Sequence, residues 1–255
     1  GCGTQTAALA IGGNPGLAIT EAYNGSAWTE VNDLQTGRQS LAAAGTTTSA
    51  LAFGGEPPTD ITELWNGTNW AEVGDLNTAR LKPGAAGASN TAALAFGGYP
   101  AIAITEKWNG TNWTEVGDLN TARGYLGGAG TNTAALAFGG RSPAFPPGGG
   151  AVTETWNGTN WTEVGDLNNA RRALAGAGTN TAALAFGGMS PTVALTESWN
   201  GTNWTETTDL NTAVRNHGGA GSDNTSALSF GGTPPTTAAT EEWNDPGIIT
   251  KTLTS

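Results

Sequence analysis

Residues that commonly carry catalytic chemistry are scarce in this chain of 255 amino acids. His217 is the single histidine, Cys2 is the single cysteine, and there are three tyrosines. A Ser-His-Asp triad could form only around His217, and no nucleophile motif flanks it. Phosphate-binding glycine loops and zinc-ligand spacings are absent. The sequence therefore argues against an enzyme, and it predicts neither a cofactor nor a bound metal ion.

Carboxylates and guanidiniums recur instead at regular spacing. A Thr-Glu-x-aromatic motif places glutamates at positions 21, 63, 106, 154, 197 and 241. An arginine follows each of the first four after 17 residues, which gives the candidate pairs Glu21 and Arg38, Glu63 and Arg80, Glu106 and Arg123, and Glu154 and Arg171. Catalytic carboxylates would form one unique constellation, whereas these recur sixfold. We therefore expect structural Glu–Arg pairs, either between strands or between repeating units.

The Thr-Glu-x-aromatic motif and the arginine that follows it belong to a longer repeat. The motif Leu-(Ala/Ser)-(Ile/Phe)-Gly-Gly occurs six times at intervals of 42 to 44 residues, with one interval of 48. Its copies are Leu9–Gly13, Leu51–Gly55, Leu94–Gly98, Leu136–Gly140, Leu184–Gly188 and Leu228–Gly232. A tryptophan also stands five residues after the motif aromatic in five copies, at positions 28, 70, 113, 161 and 204. Six copies of about 43 residues therefore account for the chain.

Each copy divides into four short apolar segments separated by turn residues. In the third copy these are residues 85–89, 92–98, 103–110 and 113–119, and Asn-Gly forms the last turn. A four-stranded unit cannot bury both of its own faces, but units stacked radially into a ring can. The sequence therefore predicts an all-β, six-bladed β-propeller with four antiparallel strands per blade.

The double glycine, the aromatic about ten residues later and the tryptophan five residues after that resemble the kelch repeat, in all six copies. This resemblance implies a kelch-like propeller. Kelch-type copper oxidases need several His and Tyr ligands and a reactive cysteine, and sialidase propellers need a central arginine cluster; neither set is found. The phrase Trp108–Arg123, "WNGTNWTEVGDLNTAR", also resembles repeats in predicted structural proteins of marine phages and environmental bacteria. That resemblance implies a virion or cell-surface appendage.

Charge and hydropathy limit the partners. The net charge of −11 argues against nucleic-acid binding, which needs clustered Lys and Arg. No apolar run approaches the roughly 20 residues of a membrane span, so membrane insertion is not expected. The opening "GCG" at residues 1–3 aligns with the interior of a first strand. We therefore expect residues 1–255 to form one propeller domain at the C-terminal part of a longer polypeptide.

Two repeated features have both a structural and a functional interpretation. Asn-Gly-Thr/Ser triplets begin at positions 24, 66, 109, 157 and 200 and match the N-glycosylation acceptor pattern, although turn chemistry also explains them. The tryptophan pairs could stack against sugars, although regular packing between blades is favoured.

The copies diverge in two places only. One is the link between the second and third strands, at residues 14–19, 56–61, 99–104, 141–152, 189–195 and 233–239. The other is the link between blades, at residues 39–41, 81–83, 124–126, 172–174 and 215–217. Because strands alternate in direction, both links emerge on one face of the disc. A partner site on that face would explain the divergence; the alternative is that longer loops tolerate change better.

The side chains that distinguish the copies on this face are the candidate ligand contacts. They are Lys82, Tyr99, Tyr125, Arg141, Phe145, Arg172 and His217. The sequence predicts a non-enzymatic binding module, on a virion or at the cell surface, that recognises a host-surface glycan or protein and also contacts other appendage subunits. A structural spacer without a ligand and a glycan-processing enzyme are the rival interpretations. The ring is expected to close by packing alone, with residues 247–255 as the outermost strand of blade 6.

Overall fold

The computed structural model describes residues 1–189 and 191–244, and its 23 strands form six antiparallel sheets. Blades 1 to 3 consist of β1 (Cys2–Thr4), β2 (Ala7–Gly13), β3 (Leu17–Tyr23), β4 (Trp28–Val31), β5 (Ala42–Thr46), β6 (Ser49–Phe53), β7 (Thr62–Trp65), β8 (Trp70–Glu72), β9 (Gly84–Ser89), β10 (Ala92–Phe96), β11 (Thr105–Trp108) and β12 (Trp113–Glu115). Blades 4 to 6 consist of β13 (Gly127–Gly130), β14 (Ala135–Phe138), β15 (Thr153–Trp156), β16 (Trp161–Glu163), β17 (Ala175–Gly178), β18 (Ala183–Phe186), β19 (Thr196–Trp199), β20 (Trp204–Glu206), β21 (Gly218–Asp223), β22 (Ser226–Phe230) and β23 (Thr240–Asn244).

Each sheet is one blade built from consecutive strands. Five sheets have four strands and the sixth has three within the described residues. The first strands of neighbouring blades contact one another around a closed ring, from β1 through β21 and back to β1. The prediction of a six-bladed, all-β propeller is therefore confirmed. The expected outermost strand of blade 6, residues 247–255, lies outside the described residues.

Small residues line the axis because the six first strands approach one another closely. They enclose a cavity of about 100 Å³ whose wall consists of glycine and alanine apart from Cys2. A Cβ atom added to Gly128 would lie 2.5 Å from the carbonyl oxygen of Ala85 in the neighbouring blade. Close approach of neighbouring backbone also explains the glycine pair at the end of each second strand. Gly97 has a φ of 62°, and its Cβ would lie 2.4 Å from the carbonyl oxygen of Arg123.

Aromatic side chains fill the wider outer part of each blade interface. Trp113 of blade 3 packs edge-on against Phe53 of blade 2, with ring centroids 4.9 Å apart, and its Nε1 donates to Thr62 Oγ1 at 3.0 Å. Blades 4 and 5 repeat this contact. Eight of the tryptophans are at most 5% exposed: Trp65, Trp70, Trp108, Trp113, Trp156, Trp161, Trp199 and Trp204. These eight are therefore packing elements rather than rings presented to a ligand.

Buried ion pairs join consecutive blades, but with different partners from those that the 17-residue spacing suggests. Each arginine pairs with the glutamate of the next blade: Arg38 with Glu63, Arg80 with Glu106, Arg123 with Glu154, and Arg171 with Glu197. All eight side chains are at most 2% exposed. Glu21, the expected partner of Arg38, is instead exposed and forms no salt bridge within the described residues. The link after the fourth strand carries each arginine across the interface, which explains the change of partner.

The ring closes between blades 6 and 1 by side-chain contacts. Trp28 packs on Phe230 and donates from Nε1 to Thr240 Oγ1 at 2.9 Å. Tyr23 Oη donates to Glu242 at 2.8 Å. No strand of blade 1 pairs with a strand of blade 6 in the described part of the chain. The described residues therefore close the ring without strand exchange, as predicted.

Candidate functional site

The two variable kinds of link lie against each other on one face of the disc. In five places, a residue after the fourth strand forms an antiparallel bridge with a residue after the Gly-Gly pair of the next blade. The bridges join Gln39 to Glu56, Leu81 to Tyr99, Gly124 to Arg141, Arg172 to Met189, and Arg215 to Thr233. We call this surface the variable face. The links therefore share one backbone arrangement around the axis.

An inner ring of five residues lies next to these bridges. Its members are Ser40, Lys82, Tyr125, Ala173 and Asn216, one from each described link between blades. Each has a positive φ between 51° and 60°, and the N–H of every member after Ser40 donates to the carbonyl oxygen of the previous member at 2.8–3.1 Å. We call these five residues the axial ring. They place one side chain per link at the axis of the variable face.

The backbone of the axial ring is constant although its side chains all differ. A left-handed conformation costs an L-residue about 1–2 kcal/mol, and glycine avoids that cost. None of the five is glycine, in a chain that has 40 glycines. Strained positions of this kind cluster at functional sites, because the surrounding structure must hold them in place. The constant backbone of the axial ring is therefore suited to carrying different side chains.

Aromatic and basic side chains from four links form one connected cluster. Tyr99 and Tyr125 meet edge-to-face with ring centroids 5.7 Å apart. The Arg141 guanidinium lies 5.8 Å from the centre of the Tyr99 ring, and Lys82 Nζ lies 5.9 Å from that of Tyr125. Lys82 Nζ also donates to Asn216 Oδ1, three positions along the axial ring, at 3.1 Å. Tyr99 remains 39% exposed, so the cluster is open to solvent.

The charges of this cluster are not neutralised by salt bridges. Lys82, Arg141, Arg172 and Arg215 form none within the described residues. Burial lowers the pKa of Lys82, and the nearby Glu56 carboxylate opposes that effect. Burial also raises the pKa of Tyr125, with smaller effects of Glu56 and Tyr99 in the same direction and of Arg141 and Arg172 against it. The cluster is therefore partly desolvated and has the chemistry to hold an anion beside an aromatic surface.

Two predicted contacts do not join the cluster. Phe145 folds back over its own loop, so that a Cβ atom on Gly150 would lie 2.3 Å from its ring. His217 packs on Phe186 between blades 5 and 6, and both of its ring nitrogens are buried with no hydrogen-bond partner among the described residues. Burial lowers the pKa of His217 to about 3, so this imidazole is neutral. The structure thus brings five of the seven predicted residues to the open surface, since Arg172 reaches it by donating to Pro147 O at 3.0 Å.

Sequence reasoning missed several residues of this face. Ser40, Ala173 and Asn216 complete the axial ring, and Glu56 accepts hydrogen bonds from Gln39 and Ser40. Arg215 lies at the next bridge. Alignment of the six copies could have found them, because all stand at positions equivalent to residues that were selected.

The described residues contain neither a candidate metal site nor a membrane-spanning helix. In residues 1–189 and 191–244, no three acidic, histidine or cysteine side chains group closely enough to hold a metal ion. The same residues include no helix able to span a bilayer. Comparison of the chain with protein-family models and with curated proteins finds no match.

Proposed function

We propose that this propeller is a non-enzymatic binding module whose variable face recognises a ligand on a host surface, either a glycan or a protein. The observation that carries the proposal is the contrast between a constant backbone and variable side chains. Five equivalent positions have φ values between 51° and 60°, and one N–H···O=C hydrogen bond joins each to the next, yet they carry Ser, Lys, Tyr, Ala and Asn. Loop tolerance alone would change backbone conformation together with sequence. In the axial ring only the side chains differ.

The composition of the cluster supports the same proposal. Tyrosine and arginine are enriched at binding hot spots, because they combine a large contact area with directed polar groups. Tyr99, Tyr125, Arg141 and Arg172 lie together on the variable face. The opposite turns are built for stability: Asn66 Oδ1, for example, accepts from the N–H groups of Thr68 and Asn69. Binding is therefore assigned to the variable face.

The resemblance of Trp108–Arg123 to repeats in predicted structural proteins of marine phages and environmental bacteria supports a location on a virion or a cell-surface appendage. In that setting the domain would contact a host-surface ligand on the variable face and neighbouring appendage subunits elsewhere. The net charge of −11 keeps such particles apart in solution.

Transplanting side chains between copies gives a test that preserves the fold. Lys82→Ala, Tyr125→Asn and Arg172→Gln install the residues that Ala173, Asn216 and Gln39 already provide at equivalent positions. The triple variant should keep the melting temperature of the wild type and lose binding to glycan arrays and host cells. Lys107→Ala, which removes a cation from β11, is the matched control and should bind normally. Equal binding by the triple variant would refute the site, and no binding by the wild type across broad panels would favour a structural spacer.

A further inference from the structure

Positive charge is concentrated on the variable face of an otherwise acidic protein. The chain has ten lysines and arginines, and four of them are buried in ion pairs between blades. Of the other six, Lys82, Arg141, Arg172 and Arg215 lie on the variable face, Lys107 lies on β11, and Lys251 lies outside the described residues. Nearly all cations that are free to meet a ligand therefore surround the axis on one face.

Most acidic residues of the described chain lie outside the variable links. Five aspartates accept hydrogen bonds from the first backbone amide of the third strand or its equivalent: Asp33, Asp75, Asp118, Asp166 and Asp209. Four glutamates occupy the blade interfaces. Glu56 and Asp60 are the acidic residues of the variable links in the described chain. A surface with this balance attracts anions, and its low-dielectric surroundings strengthen that attraction.

The contacts that the cations do make are all with neutral groups. Lys82 donates to an amide oxygen, Arg172 donates to a backbone carbonyl, and Arg141 lies over a tyrosine ring. Arginine has five N–H donors in a fixed fork, so Arg141 and Arg172 keep donors available for a carboxylate or a sulfate. An anionic ligand would therefore provide the negative charge that these cations lack within the described residues.

The backbone of this face also restricts the class of ligand. Peptides that bind by strand addition need unpaired backbone N–H and C=O groups. In the axial ring and the five bridges of the variable face, most of these groups are bonded within the protein. Side chains are therefore the groups that this part of the face offers to a ligand. Two adjoining tyrosine rings provide apolar surfaces on which the C–H face of a sugar ring can pack, with hydroxyl groups beside them.

We infer that the variable face binds an acidic glycan, in which Arg141, Arg172 and Lys82 hold a carboxylate or sulfate group while Tyr99 and Tyr125 pack against a sugar ring. This inference rests on the proposed binding function and names the ligand class of the same site.

Matched carbohydrate pairs test the inference. The purified propeller would be titrated with sialyllactose against lactose, and with a sulfated glycosaminoglycan oligosaccharide against its desulfated form. We expect binding to at least one acidic member and at least about tenfold weaker binding to its neutral partner, because charge-assisted hydrogen bonds are lost. The first pair reports a carboxylate and the second a sulfate. Affinity should also fall several-fold between about 50 and 500 mM NaCl, because salt screens exposed charges.

Two variants of the site, one control variant and a polyanion separate the possible outcomes. Arg141→Thr with Arg172→Gln, both residues borrowed from equivalent positions, should weaken acidic-glycan binding roughly tenfold or more, while Lys107→Gln should not. Tyr99→Thr should weaken binding of the acidic and the neutral sugars alike. Equal binding of acidic and neutral sugars would overturn the inference but leave the proposed function intact, as would binding of polyglutamate without any glycan. Absence of both glycan and host-cell binding would overturn the two together.

Discussion

The interface between blades 4 and 5 and the interface between blades 5 and 6 occupy equivalent places in the ring but are built differently. Between blades 4 and 5, Arg171 forms a buried ion pair with Glu197. Between blades 5 and 6, Val214 replaces that arginine, and Glu241 is only partly buried. His217 takes the position that Leu174 has in the preceding link.

The described residues of the second interface also lack one hydrogen bond. Thr153 of blade 4 accepts from Trp204 Nε1 of blade 5 at 3.0 Å, whereas the buried hydroxyl of Thr196 in blade 5 has no partner within residues 1–189 and 191–244. The innermost strands nevertheless pack in the same way at both interfaces. Close packing of the glycine- and alanine-rich strands therefore defines the ring, and the ion pairs and indole hydrogen bonds add stability and fix side-chain positions. Buried ion pairs often behave in this way, because desolvation offsets much of their attraction.

The largest expected effect concerns the ion pairs themselves. Glu106→Ala should cost on the order of 3 kcal/mol in the free energy of unfolding, because Arg80 would remain buried and uncompensated. Glu241→Ala is the control at the interface where valine replaces arginine, and it should cost less than about 1 kcal/mol. Urea denaturation at pH 7 measures both. Replacing the pair together, with Arg80→Met and Glu106→Leu, should recover most of the loss. Equal costs for the two single variants would contradict this account of the interfaces.

The second prediction concerns pH. In the folded protein burial lowers the pKa of His217 to about 3, assisted by Lys82 and opposed by the backbone of Phe186. In the unfolded chain a histidine takes up a proton near pH 6.5. The unfolded state therefore binds more protons between pH 6.5 and 3, and stability falls as the pH is lowered through that range.

His217→Leu should abolish this loss, since leucine stands at the equivalent position in other links. We expect the stability advantage of the variant to grow by at most about 2 kcal/mol between pH 8 and pH 5, because the slope cannot exceed about 1.4 kcal/mol per pH unit. Thermal unfolding of both proteins at the two pH values measures it. If the difference in stability between the two proteins is the same at both pH values, the imidazole is solvated in the folded protein.

The third prediction isolates the indole hydrogen bond. Thr62→Val removes the acceptor of Trp113 Nε1 and leaves a buried N–H without a partner, at a cost of about 1–2 kcal/mol. Thr196→Val is the matched control, because its hydroxyl has no partner in the described part of the chain, and it should cost less than about 0.5 kcal/mol. Denaturation curves of the two variants under one condition give the difference directly. A loss as large for Thr196→Val would show that shape, and not the hydrogen bond, is responsible.

The sequence predicts the fold well because the repeat encodes it at every level: the period, the Gly-Gly turns and the aromatic spacing all agree. The ion-pair partners could not be predicted in the same way. Arg38 lies closer in sequence to Glu21, but the link between blades carries it to Glu63. The number of residues between two side chains does not show that the chain crosses to the next blade.

The sequence predicts on which face the candidate site lies, but not how its side chains come together in a cluster. Divergence between copies identifies the face, yet the left-handed backbone of the axial ring follows from packing around the axis and has no sequence marker at Tyr125 or Lys82. Divergence between copies also predicts His217 as a contact, although its position is one that leucine fills in the interior. The same reasoning predicts Phe145, whose ring covers its own loop.

The smallest expected effect on stability concerns the long loop of blade 4. Deleting residues 143–148 leaves Arg141, Ser142, Gly149, Gly150, Ala151 and Val152, which matches the six-residue loops of other blades. It keeps the hydrogen bonds from Gly150 N to Gly140 O and from Arg171 N to Gly150 O. The free energy of unfolding should change by less than about 0.5 kcal/mol, since loop length contributes little.

Binding should respond to the same deletion far more strongly than stability does. Pro147 O, which accepts from Arg172 Nη1, would be gone, so this arginine would lose its fixed orientation beside Tyr125. Attachment to host cells should therefore weaken, and a Tyr125→Ala, Arg172→Ala double change should weaken it further. If attachment survives both changes while the melting temperature is unaltered, the variable face is not the binding surface, and the invariant turns on the opposite face become the next surface to mutate.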